Sequence, residues 1–118
     1  MDVETAAKDL GRLIAQSPEY KYYSASAREV DEDRETADLM RKLKALEEKV
    51  IKIQEGGQEP DEQTKQEYTS LMEVIQGKTM VQSLIASQEN YLKLMNRVNA
   101  KISEGIKEGA QSRIITNF

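Results

Sequence analysis

Apolar residues in this chain recur every three or four positions and nowhere alternate with period two, so the pattern predicts α-helices throughout and no β-sheet. The first repeat, Val3, Ala6 or Ala7, Leu10 and Ile14, follows Asp2, a suitable N-cap, and predicts a helix to about Gln16. Gly11, set among Ala6, Ala7 and Ala15, reads as a point of close approach between helices. Ser17 and Pro18 have the chemistry of an N-cap and a first-turn proline, and Tyr20, Tyr23, Ala27 and Val30 outline a short second helix. That spacing puts Tyr20 and Tyr23 on the buried side and Tyr22 elsewhere.

Asp33 is the next N-cap, with Glu35 in the first turn, where the helix dipole favours a carboxylate. Leu39, Leu43, Leu46, Val50 and Ile53 then step by fours and threes, which is a heptad-like seam, and Gly56 and Gly57 end it. Asp61 caps a fourth helix carrying Tyr68, Leu71, Met72 and Ile75, and Gly77 interrupts it. A last long helix carries Val81, Leu84 or Ile85, Gln88, Tyr91 or Leu92, Met95, Val98 and Ile102, with Gly105 and Gly109 weakening its end. Met40, Met72, Met80 and Met95 read as core or seam filling.

These elements predict a single all-α domain over residues 3–106 with about five helices: a long antiparallel helix pair and shorter helices packed on it. Each long helix is expected to hold about 20 to 25 residues and to span roughly 30 to 37 Å. Helices of that length overhang their own core, so the seam residues Leu39, Leu43, Leu46, Val50, Ile53, Val81, Ile85, Leu92, Met95 and Val98 are expected to drive association into a dimer or tetramer. Residues 107–118 are left as a tail. Its apolar end, Ile114 to Phe118, is expected either to be mobile or to dock on a neighbouring subunit.

The chain has 118 residues, enough for one core, and no Cys and no His. Disulfides, thiolate chemistry, cysteine-ligated clusters and histidine-based acid-base or metal chemistry are thereby excluded. No apolar run approaches the roughly 20 residues of a membrane span, and the acidic start MDVETAAKDL is unlike a signal peptide, so a cytoplasmic location without membrane contact is the expectation. Net charge is -4 but uneven: residues 1–75 hold 18 acidic and 11 basic side chains, residues 76–118 three acidic and six basic.

Two clusters are candidates for chemistry. Glu29, Glu32, Glu35 and Asp38 spell Glu-x-x-Glu and Glu-x-x-Asp, the carboxylate pairs with which all-α nucleotide hydrolases hold Mg²⁺, yet all four crowd round one helix boundary. Capping and solvation account for them better. Lys93, Arg97 and Lys101 form a basic stripe on the last helix that could meet an acidic partner or a phosphate backbone. Glu89 precedes Lys93 by four residues and no aromatic platform accompanies the stripe, so an intrahelical ion pair on a wet face is the simpler reading, and direct nucleic-acid binding is not expected. No cofactor and no catalytic residue is indicated.

Leu10-Gly11, Ile14, Ser17, Glu19-Tyr20, Ala27, Asp33 and Leu39, then Tyr91-Leu92, Met95, Val98-Asn99 and Ile102, form a pattern that resembles the YlbF/YmcA family of small bacterial helical proteins. The resemblance implies an all-α fold with two long helices, dimers or tetramers, no enzymatic activity, and regulation through other regulatory or RNA-processing proteins. It also implies links to competence, sporulation and biofilm formation. The family's iron-sulfur clusters rest on cysteines, and this chain has none, so the resemblance points to a cysteine-free member.

Overall fold

The computed structural model describes the backbone of residues 1–116 and the side chains of residues 1–111. Five helices follow one another: α1 Val3–Ala15, α2 Pro18–Glu32, α3 Arg34–Glu55, α4 Glu62–Gln76 and α5 Thr79–Thr116. Among the described residues there is no strand.

Capping chemistry sets the boundaries. The Thr5 amide donates to Asp2 at 2.7 Å, the Tyr20 amide to the Ser17 hydroxyl at 3.1 Å, the Thr36 amide to Asp33 at 3.0 Å and the Thr64 amide to Asp61 at 2.8 Å. Each bond satisfies an amide that the first turn leaves without a partner. At the end of α3 the chain reverses through Gly57, whose φ of 80° is a left-handed conformation that side chains resist.

Three local expectations change. α5 runs 38 residues, not 20 to 25, because Gly105 and Gly109 lower helix propensity by only about 1 kcal/mol each and do not end it. The residues 107–116 expected as a tail are its last turns, while the side chains of Ile114, Ile115 and Phe118 lie outside the described residues. Gly11 is exposed and a Cβ there would meet nothing within 4 Å, so no helix approaches it. Leu10 and Ile14 point into the molecule, and Gly11 lies on the flank beside them.

The long helices are not packed along one another. α5 pairs with α2, antiparallel, as Glu19 opposite Arg97 and Tyr23 opposite Tyr91 show; α3 pairs with α4 in a second antiparallel hairpin. The links decide this. A single extended residue, Asp33, joins α2 to α3, and Gly77 and Lys78 join α4 to α5, so in both places the chain runs on without folding back. Only residues 56–61 reverse it. The result is one long hairpin broken at mid-length, 68 × 37 × 20 Å in extent.

The core sits at that break. Val30 ends α2, Ile75 ends α4 and Val81 begins α5; all three are buried, with Leu39, Met40, Leu43, Leu71, Met80 and Leu84 packed around them. Thr36, fully buried, and Thr64, nearly so, close the starts of α3 and α4. Lys78 reaches Glu35 across the junction at 3.2 Å.

Candidate interaction surfaces

The Asp33 turn, where the four acidic candidates meet, is built as a helix joint. Asp33 accepts both from the Thr36 hydroxyl, at 2.5 Å, and from the Thr36 amide, and these bonds, in that order, hold its carboxyl below the ordinary range; Lys78 adds a smaller pull the same way. Asp2 with Thr5 and Asp61 with Thr64 repeat the arrangement and the direction. Because the folded pKa lies below the unfolded one, each cap stabilises the fold above the ordinary carboxylate range and loses that contribution as pH falls through and below about 4. Thermal unfolding followed by circular dichroism between pH 7 and pH 3 is expected to show a falling midpoint. Asp33→Asn, which cannot titrate, should flatten part of that slope; an unchanged slope would remove Asp33 from its cause.

Glu29, Glu32, Glu35 and Asp38 themselves are all exposed and splay to either side of the turn. Glu35 is taken by Lys78, and Asp38 by Arg41 one turn along α3. Among the described residues no three acidic side chains converge as metal ligands. The arrangement at Asp33 holds two helices together.

Of the seam residues, Leu39, Leu43, Leu46, Val50 and Ile53 are half-buried against α4, and Val81 is in the core. Met95 and Val98 are half-buried on the side of α5 near α1 and α2, whereas Ile85 and Leu92 face outward, 41% and 53% exposed. The structure therefore divides one periodic row into an inner part that the chain uses and an outer part that it leaves open.

Lys93 and Arg97 line an open groove between α2 and α5 with Pro18, Tyr22, Ser26 and Glu29; Arg97 donates to Glu19 at 3.0 Å. Lys101 pairs with Glu104 at 2.9 Å. The basic stripe is therefore partly neutralised within the chain. Tyr22, 71% exposed, stands at the groove, while Tyr20 and Tyr23 close on Tyr91 inside the α2 and α5 pair. The Asp-x-x-Thr repeat of the three caps went unread in the sequence, although Asp2-Thr5, Asp33-Thr36 and Asp61-Thr64 were there to find. Among the described residues no helix is long and apolar enough to cross a membrane.

The described residues thus form an elongated all-α chain whose side chains cap, pack and pair, with apolar helix faces left open to solvent. The family model described as "Control of competence regulator ComK, YlbF/YmcA" matches residues 3–107, and the chain belongs to that family. It is 26% identical over 108 residues to a UPF0342 protein of Lactobacillus acidophilus, covering 92% of this chain and 93% of the relative. A UPF0342 protein of Streptococcus sanguinis is 28% identical over 83 residues, or 70% of this chain and 74% of the relative. Bacillus subtilis RicA, crystallised in complex with RicF, shares the fold with a TM-score of 0.74 at 17% identity, over 92% of this chain and 96% of RicA.

Proposed function

We propose that this protein is a non-enzymatic regulatory adaptor that acts as a homo-oligomer, dimer or tetramer, and presents helical surfaces to other regulatory or RNA-processing proteins of the cytoplasm. Membership of a family described by control of a competence regulator supports regulation, and the RicA structure, solved with its partner RicF, supports work through protein contacts. The observation that carries the reading is the openness of the chain. Its accessible surface is 9323 Å², where a compact monomer of 13.4 kDa would expose about 6,500 Å². Its radius of gyration is 21.1 Å, against about 13.5 Å for a compact domain. Surface left uncovered on this scale supports a role as one subunit of an assembly. A role in RNA processing, and through it in competence, sporulation or biofilm formation, follows the family resemblance.

Affinity capture of the tagged protein from its own cells, with sizing of the purified protein alone, tests the reading. Ribonuclease or RNA-processing factors recovered with an oligomeric bait are the expected result. A lone monomer without companions would sink it. RNA is expected to be reached through partners, so Arg97→Glu should leave retention of purified RNA at its background level; salt-sensitive retention abolished by that change would make the protein a direct RNA binder.

A further inference from the structure

Beyond the junction core the α3 and α4 hairpin is a bare helix pair, and a pair shields its apolar rows from one side only. On one of its faces Ala45 and Leu46 of α3 and Leu71 and Val74 of α4 floor an open groove. Leu46 and Leu71 are half-buried there, and Val74 is 53% exposed. From Gln63 to Val74 the groove runs about 17 Å, or about three helical turns. Its two edges differ in charge. The α3 edge carries Lys42 and Lys49, seven residues apart and so on one stripe, and among the described residues neither forms an ion pair. Asp38, one turn before Lys42, is taken by Arg41. The bonds from Thr64 are what chiefly hold the Asp61 carboxyl below its ordinary range, and Lys49 adds the smallest pull. The α4 edge is Gln63, Gln66 and Ser70 with a single carboxylate, Glu67. The opposite face of the hairpin, around Val50, Ile51 and Tyr68, is bounded by Glu47, Glu59 and Lys65 and so favours neither sign.

We propose that this groove binds an amphipathic helix of another protein, its apolar row laid on Leu46, Leu71 and Val74 and its carboxylates, seven residues apart, on the flank that faces Lys42 and Lys49. A helix keeps its own backbone hydrogen bonds while it buries one row of side chains, which is what an apolar floor between two helices requires. The lysines select that helix and set which way round it lies more than they strengthen its hold. The partner's other flank, over Gln63, Gln66 and Ser70, is met by uncharged groups and needs no charge of its own. A second copy fits the groove badly: paired groove to groove, each side would bring two lysines and one carboxylate.

The inference rests on the adaptor reading above and names the chemistry of the partner, and the purified full-length protein tests it apart from that reading. A displayed library of helical peptides about four turns long is selected on the immobilised protein. Enriched peptides should share an apolar row at i, i+3 or i+4 and i+7, with Asp or Glu along one flank only. A selected peptide should bind the double variant Lys42→Glu with Lys49→Glu about tenfold more weakly, and exchanging its flanking carboxylates for lysines should recover that loss. Val74→Asp should weaken binding to a similar extent, and Ile51→Asp on the other face should leave it unchanged. An empty selection, peptides without an acidic preference, or binding that Ile51→Asp weakens and the lysine variant does not, overturns the groove. So does a lysine variant of lower mass than the wild type in light scattering, which would make the groove a contact between copies. All of these leave the adaptor reading standing, whereas a wild-type bait that captures no companion from its cells fails that reading whatever the peptides show.

Discussion

Ile75→Ala is expected to lower the unfolding free energy by about 3 kcal/mol, the largest loss from any single truncation in the chain. Ile75 is 2% exposed and stands at the end of α4, where it meets Val30 from α2 and Val81 from α5. Elsewhere the helices touch in pairs, and a pair shields each side chain from one side only; at the junction four helix ends meet. A cavity there has no neighbouring core to relax into it. Ile75→Val, which removes one methylene, should cost about 1 kcal/mol, so the two variants calibrate each other. Urea unfolding followed by helicity, at one fixed protein concentration because any association would add to apparent stability, reads the difference. A loss below about 1 kcal/mol for Ile75→Ala would mean that the junction is not what holds the halves together.

Tyr91→Ala is the second large effect, expected at about 2 kcal/mol. Tyr91 lies on α5 between two rings of α2: it stacks on Tyr23 at 5.3 Å with an interplanar angle of 14°, and meets Tyr20 edge-on at 5.7 Å and 64°. Half-buried as it is, it contributes less than a fully enclosed aromatic would. Tyr91→Phe should be nearly neutral, since the contacts are made by the ring faces and edges. A double-mutant cycle of Tyr23→Ala and Tyr91→Ala should give a coupling of about 1 kcal/mol, and additivity would show that the rings are merely adjacent. Arg97 and Glu19 close the same interface nearer its end, but the arginine is largely exposed, and truncating either is expected to change stability little.

The joint at Asp33 connects the two halves mechanically. One residue with extended backbone separates 15 residues of α2 from 22 of α3, and its carboxylate is held by the Thr36 hydroxyl and amide. Within the acidic stretch Asp33 is the one carboxylate that caps, and its neighbours Glu29, Glu32, Glu35 and Asp38 lie on the wet side of two helix ends. Counting carboxylates along the chain suggests a metal cluster. Their directions do not.

Local chemistry was legible without any structure. Asp2, Ser17, Asp33 and Asp61 cap helices because a short oxygen-bearing side chain answers amides that a first turn leaves bare, a matter of four consecutive residues. Gly56 and Gly57 end α3 for an equally local reason. The half-buried placement of Tyr23 and the outward placement of Tyr22 follow from the 3.6-residue turn alone, whereas Tyr20, expected on the buried side, meets Tyr91 by an edge and stays 37% exposed. What periodicity cannot carry is the identity of the partner. The rows on α3 and α5 look alike and were expected to meet, yet the single-residue break at Asp33 and the two-residue break at Gly77 and Lys78 keep the chain running on, and give α3 to α4 and α5 to α2. Likewise the row from Val81 to Ile102 is continuous in sequence but changes from core to open surface once α2 has taken one side of it. The sequence by itself determined where helices begin, end and turn their apolar sides, because those are contests between near neighbours. Only the tertiary structure decided which sides are spent inside the chain and which remain open, because that depends on where separate helices lie in space.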